Sequence, residues 1–391
     1  MAAFLPLAGP VSSAAAVPLL LSPLWLRRAR RTAVGWLATL ACLAVGGGLI
    51  TAEFMSTGAR ISSTSLAVSQ SLMVLSIVLG AGTVVWASHL LNRGWVAVTF
   101  GVGMLIGQAR LGLSSDNPWK YDLFIPVTLI LLGTAWARGA RRPEMVALLG
   151  IALLSIINDS RSAASIAAVG LVALVWQWAQ AHLKVRTGRF RILVTLGFLG
   201  MTMYLLIQTF ILEGYLGAAT QARSQAQMRA AGSLILGGRP ELGATRALLE
   251  ASPWGYGLGI IPDSHDVWIA KTGMSSLNYE PDNGYVEKYM FGGGMEVHSV
   301  LGDLWLRCGP LGAALGLALV AVIVSRLATR LAEGEAPALL VILTLLVCWD
   351  ALFSPLYVTA VQVLAVTLGL SVEGPQFGNK PENQLRPLSL P

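Results

Sequence analysis

Glu296-Val297-His298-Ser299, followed after nine residues by Gly309-Pro310-Leu311-Gly312, is the stretch on which the fold of this chain turns. A long polar segment closes on a histidine there. From Leu311 to Val324 the chain carries only Leu, Ala, Val, Ile and Gly. The span 298–325 can cross a hydrocarbon layer, because a transmembrane helix needs about 20 mostly apolar residues. In lipid the backbone must satisfy its own polar groups, so such a run means helix. A titratable side chain at the step from water to hydrocarbon is a candidate for chemistry rather than solubility.

The rest of the chain follows this pattern. Apolar residues make up 55% of 391 positions and charged residues 12%, more hydrocarbon than a soluble protein of this size can hide. Further apolar spans lie at 4–26, 33–52, 66–88, 95–113, 121–137, 143–158, 162–181, 192–212, 336–352 and 356–371. The fold class is therefore all-α: a polytopic transmembrane helical bundle of about 11–12 helices. The first span, with its Arg cluster after the apolar run, reads as an uncleaved anchor rather than a signal peptide. Cys42, Cys308 and Cys348 lie in apolar segments without pairing or ligand spacing, so neither a disulfide framework nor a metal cluster is expected.

The net charge of +7 is concentrated in short connectors. Arg27, Arg28, Arg30 and Arg31 form one cluster, Arg138, Arg141 and Arg142 another, and Lys184, Arg186, Arg189 and Arg191 a third. Short basic connectors mark cytoplasmic loops, not a nucleic-acid surface. Placing 27–32 in the cytoplasm sends 89–94, 138–142, 182–191, 326–335 and the C-terminal tail to the same side. The N-terminus is then expected outside, with 53–65, 114–120, 159–161, 213–297 and 353–355 facing the exterior. Four regions result: N-terminal helices 1–212, an exterior loop domain 213–297, C-terminal helices 298–372 and a flexible tail 373–391.

The loop domain is far longer than an ordinary connection, and loops of that length are usually functional. Within it, 215–236 (Arg223 and Arg229 included) is expected as an interfacial amphipathic helix. Residues 239–251 are expected as a second helix, ended by Ser252-Pro253. On the helix from His298, steps of three and four give Gly302, Trp305, Gly309, Gly312 and Gly316, one stripe for close packing; Gly312 and Gly316 also form a GxxxG pattern. Asp303 and Arg307, four apart, suit an intrahelical ion pair.

Three side chains stand out for chemistry. Asn158-Asp159-Ser160-Arg161 opens the helix 162–181, and a helix N-terminus beside an arginine is a natural anion site. Arg239 follows Gly237-Gly238, whose backbone amides suit a phosphate. His298 is a potential base. Each alone also fits a plain role: Arg161 snorkelling to headgroups, Arg239 solvated on a loop, His298 merely meeting water. The topology places all three on one membrane face, which suits a substrate with a lipid tail and a phosphate or diphosphate head. Walker, HExxH and dinucleotide fingerprints are absent.

The spacing His298-Ser299-x9-Gly309-x-x-Gly312 resembles the signature of the bacterial O-antigen ligase family, part of a larger group with lipid-linked polysaccharide polymerases. Asp159-Ser160-Arg161-Ser162-Ala163, Gly238-Arg239 and Pro253-Trp254-Gly255-Tyr256-Gly257-Leu258-Gly259 add to the likeness, which covers roughly residues 150–325. The chain departs from the family in having Gly243 where many members carry Trp, and about eleven spans where twelve are usual. The resemblance implies a GT-C type bundle in the bacterial inner membrane, its active site facing the periplasm. It implies glycosyl transfer from a polyprenyl-diphosphate-linked glycan to an acceptor hydroxyl on lipid A-core or another glycan, inverting, without metal or cofactor. His298 would be the general base, and Arg161 and Arg239 would hold the donor diphosphate. Tyr256 and Glu280 or Asp282 would contact sugar, while Gly309 and Gly312 would serve helix packing. Two alternatives stand beside a ligase: a polymerase extending the same glycan, and, from another class, a lipid-glycan flippase or transporter, for which internal repeats and broken mid-membrane helices would speak.

Overall fold

The computed structural model describes residues 2–3, 5–8, 11–56, 60–113, 116–183, 238–280 and 282–372, with scattered positions between 188 and 228. Six of its helices are long and apolar enough to cross a membrane. They are α3 (Ala33–Met55), α4 (Thr64–Leu90), α5 (Arg93–Leu111), α6 (Trp119–Ala137, opened by a π-helical turn), α8 (Arg161–Leu183) and α11 (Val300–Ala332). Shorter helices α7 (Arg141–Ile157), α12 (Ala338–Phe353) and α13 (Val358–Ser371) pack among them. Ile50, Leu149, Leu153, Ile156 and Ile157 point outward, the pattern of a surface that meets lipid rather than water. The chain is a multi-pass helical membrane protein.

Residues 4–26 do not form the single spanning helix that hydropathy alone predicts. The strands β1 (Pro6–Ala8) and β2 (Val11–Ser12) pair antiparallel, and the Ser13 amide bonds back to the Leu5 carbonyl at 2.8 Å. Two eight-residue helices follow, α1 (Ser13–Leu20) and α2 (Ser22–Ala29). Prolines explain the correction. Pro6, Pro18 and Pro23 each remove a backbone donor, and the residue before a proline resists helical angles. The other expected spans from 33–52 to 162–181, and from 298–325 to 356–371, each correspond to a helix. The expected span 192–212, the segment 215–236 and the tail 373–391 lie wholly or largely outside the described residues.

The helix predicted from His298 begins instead at Val300 and is broken at Gly309, where φ is +63° and ψ −157°. Pro310 has no N–H to offer the Leu306 carbonyl four residues back, so the hydrogen-bond ladder opens there. The two arms fold against each other. A methyl added to Gly312 would meet the Leu304 carbonyl oxygen at 2.0 Å, and one on Gly316 the Leu301 side chain at 2.5 Å. Residues eight apart in a straight helix stand about 12 Å apart. The expected continuous stripe is therefore divided at Gly309, and Gly312 and Gly316 pack on the first arm of their own helix.

The opening in α11 is filled from the loop domain. The amides of Tyr256 and Gly257 both donate to the Leu306 carbonyl, at 2.7 and 3.2 Å. The next amides go on to α3 and α4: Leu258 to the Gly48 carbonyl at 3.1 Å, Gly259 to Gln70 Oε1 at 2.8 Å. Above this seam, α9 (Glu241–Ala251) crosses α10 (Ser264–Ser275) where Gly243 and Gly273 touch backbone to backbone. A tryptophan at 243 would have no room. Ala244, Leu248, Ala270, Met274, Val286 and Met290 form the core of the loop domain, closed below by Leu306 of α11.

The opposite end of the bundle sets the register of α8 against α12. Gln177 exchanges hydrogen bonds with the Ala336 backbone at 2.9 and 3.1 Å, and a methyl on Gly170 would strike Ile342 at 2.7 Å. The helices are thus antiparallel. Nine residues, about 13 Å, bring Arg161 level with Ala351, at the end where His298 lies.

Gly309→Ala is expected to destabilise by about 3 kcal/mol or more, since positive φ alone costs a β-carbon roughly 1–3 kcal/mol. The added methyl would also press the Trp254 carbonyl from 2.6 Å. Gly334, with φ +71° and open space around it, isolates the conformational cost of about 1–2 kcal/mol. Thermal midpoints of the two variants in detergent should differ clearly; equal losses would show that the seam does not depend on this contact.

Candidate active site

The loop entering α11 is fastened by two buried charges. Arg307, 1% exposed, donates from Nε to the Met295 carbonyl and from Nη2 to Glu296 Oε1, both at 3.1 Å. Asp303, wholly buried, accepts the amides of Val297 and Leu356 at 2.7 Å each. The ion pair expected between these two side chains does not form: no Asp303–Arg307 contact lies within 4.0 Å among the described residues. Each instead satisfies groups of the loop, which is what a buried charge requires. Ser299 caps the helix by accepting from the Gly302 amide and donates to the Ala351 carbonyl at 2.9 Å.

Between these anchors His298 is held at φ +54°. A non-glycine residue there costs of order 1–3 kcal/mol and persists because its neighbours are over-determined. The Tyr285 ring, at the start of the π-helical turn Val286–Met290, lies 6.0 Å from it, and the Tyr357 ring, from the connector after α12, lies 6.5 Å away. The Tyr285 hydroxyl donates to Glu241 Oε1 at 2.5 Å, while Tyr357 hydrogen-bonds Glu296. The Arg239 guanidinium sits 5.7 and 5.8 Å from the ring centres of Trp349 and Phe353, which are themselves 4.8 Å apart.

The electrostatics of this cluster favour a neutral imidazole. Burial pushes the His298 pKa below its ordinary value and Arg239 pushes the same way, against the carboxylates of Glu241 and Glu296. Burial, then the bond to Glu241, lifts the Tyr285 hydroxyl and keeps it a donor. Burial also lifts Glu296, opposed by Arg307 and by the Tyr357 hydroxyl.

His298 and Arg239, distant in sequence, are therefore neighbours. Arg161 stands at the same end on α8, its Nε 3.3 Å from Asp159 Oδ1. Tyr256 is elsewhere: 1% exposed in the loop-domain core, its hydroxyl on the Leu248 carbonyl at 3.3 Å and Arg60 over its ring, it has no surface left for a sugar. Asp282 pairs with Lys271 at 3.0 Å and its amide meets Glu280 Oε1 at 3.3 Å, both carboxylates lying on the exposed rim. Sequence reasoning passes over Glu241, Tyr285, Glu296, Tyr357 and the Trp349–Phe353 pair. Glu241 carries a findable signal, an acidic residue in the first turn of a predicted helix two places after Arg239. Tyr357 reads only as the edge of an apolar span.

Chemically, the cluster offers a neutral base, a cation backed by aromatic faces, and carboxylates that hold them. Among the described residues no group of three His, Cys, Asp or Glu is arranged to hold a metal ion. No protein family, curated protein or solved structure matches the chain, so its chemistry rests on its own residues.

The chain has four histidines, His89, His182, His265 and His298, which makes ring titration by NMR tractable. His298 should titrate below the ordinary value of about 6.5. A midpoint at or above it would contradict burial as the dominant influence.

Proposed function

We propose that this chain is a membrane glycosyltransferase of the O-antigen ligase type, moving a glycan from a polyprenyl-diphosphate carrier to an acceptor hydroxyl such as one on lipid A-core. The observation that carries the reading is the gathering of His298 and Arg239, under a folded loop domain, at one end of a membrane bundle. A donor with a lipid tail in the bilayer and a diphosphate at its surface presents its reacting carbon at that level. The site would face the periplasm from the inner membrane, in a bundle of GT-C type.

In this reading the acceptor oxygen attacks the anomeric carbon as His298 takes the hydroxyl proton, and the carbon–oxygen bond to the diphosphate breaks with inversion. Negative charge grows on the departing diphosphate. Arg239, with Arg161 from α8, opposes it as a fixed cationic field in a partly desolvated site. Trp349 and Phe353 keep the Arg239 guanidinium in place without neutralising it.

The test is transfer by purified protein in proteoliposomes supplied with lipid-linked repeat units, with and without lipid A-core. A single shifted product that requires the acceptor supports a ligase; a ladder formed without it makes the enzyme a polymerase; no transfer removes the reading. His298→Ala should abolish turnover while the thermal midpoint stays near wild type. Arg239→Ala and Arg161→Ala should raise the donor KM, on the order of tenfold or more for a charge-assisted contact, and Lys should rescue poorly if the contact is bidentate. Turnover should fall on acidification through a midpoint below about 6.5, because a protonated imidazole accepts no proton.

A further inference from the structure

Glu241 opens α9 as a carboxylate only 7% exposed, and only half of it is engaged. Oε1 takes the Tyr285 hydroxyl; no described group bonds Oε2. His298 has the matching defect, for its Nδ1 is buried and bonded to no described group. A buried polar atom left unpaired is costly, so two of opposite capacity in one cluster call for a common explanation. Tyr285 ties them in space, its hydroxyl on Glu241 and its ring 6.0 Å from the imidazole.

The groups facing His298 are Arg239 from the segment before α9, Glu241 from α9, Tyr285 from the π-helical turn, Glu296 from its own loop and Tyr357 from the connector after α12. Arg239 has only donors and cannot accept a proton from Nδ1. Both tyrosine hydroxyls are turned to carboxylates. Glu296 is the rival acceptor, but it already takes Arg307 and the Tyr357 hydroxyl. Oε2 of Glu241 is the acceptor that remains.

We infer that Glu241 is the positioning residue of His298: Oε2 accepts the Nδ1–H bond through one bridging water, and leaves the Nε2 lone pair for the acceptor hydroxyl. The inference rests on His298 acting as the base. When the ring takes the acceptor's proton it becomes a partly buried cation, and the carboxylate then faces it as counter-charge. Tyr285, bonded to the other oxygen, keeps the carboxylate from turning away.

The experiment is 15N NMR of histidine-labelled full-length protein in nanodiscs, run on wild type, Glu241→Gln and Tyr285→Phe beside the transfer assay. In wild type at pH 7.5 His298 should carry its proton on Nδ1. Glu241→Gln should remove that preference and lower the His298 midpoint by about one unit. It should also cut kcat about a hundredfold with the donor KM nearly unchanged. Tyr285→Phe, which keeps the charge but frees the carboxylate to turn, should weaken the Nδ1 preference less than Glu241→Gln does. A wild-type ring protonated on Nε2 overturns the inference even if Glu241→Gln does not fold, and so does a folded Glu241→Gln variant that titrates like wild type. Absence of transfer by wild type would instead remove the glycosyl-transfer reading, with the tautomer still decided by the spectra.

Discussion

Pro310 cannot donate to the carbonyl of Leu306, and most of the architecture around His298 follows from how that carbonyl is satisfied. In a hydrocarbon setting an unpaired backbone carbonyl costs several kcal/mol. Here the amides of Tyr256 and Gly257 complete it. One local defect thereby joins two regions some fifty residues apart: the bend tips the first arm of α11 back on the second, and the segment 255–259 is drawn into the gap. The loop domain is seated by backbone amides, with Gln70 of α4 and Trp305 of α11 adding side-chain bonds, on a helix bent by backbone chemistry.

The short first arm of α11 then does two jobs. Its inner side, through Leu306, closes the core of the loop domain. Asp303 and Arg307 meanwhile hold the segment leading to His298 from below, and Asp303 reaches beyond it to the amide of Leu356. Burying two charges is tolerable because they are saturated with hydrogen bonds rather than paired with each other. The cost of the positive φ at His298 is carried by these same bonds. A strained residue, fixed charges and two buried polar atoms without a described partner meet in one corner of the bundle.

Hydropathy located the six long membrane helices among the described residues because lipid imposes one local rule, a long run of apolar residues, and it also marked the shorter α7, α12 and α13. It failed at residues 4–26, where apolar composition is present but proline breaks the backbone that composition does not sense. Arg239 and His298 were legible as candidates because cations and imidazoles are scarce in so apolar a chain. Their partners were not. Glu241 offers only its place in a first helical turn beside Arg239, while Glu296 and Tyr357 owe their importance to contacts between segments distant in sequence, which no spacing rule encodes. The Asp303–Arg307 pair shows the reverse error: correct helical spacing, overridden by backbone groups of the loop that needed the charges more. Gly312 and Gly316 mark close packing as expected, but their partner is their own helix, a contact visible only once the break at Gly309 is known.

Asp303 grips the amide of a residue that lies 53 positions further along the chain, and Ser299 the carbonyl of one 52 positions on. Trp349, Phe353 and Tyr357, which wall the corner around Arg239 and His298, belong to that same later stretch. During synthesis on the ribosome the histidine therefore enters the bilayer surface well before its surroundings exist. Until α12 and the connector to α13 have inserted, the imidazole lacks both its walls and the bonds that hold its backbone. A nascent chain stalled short of that hairpin would carry the imidazole but not the assembled corner, so the cluster is completed late in biogenesis.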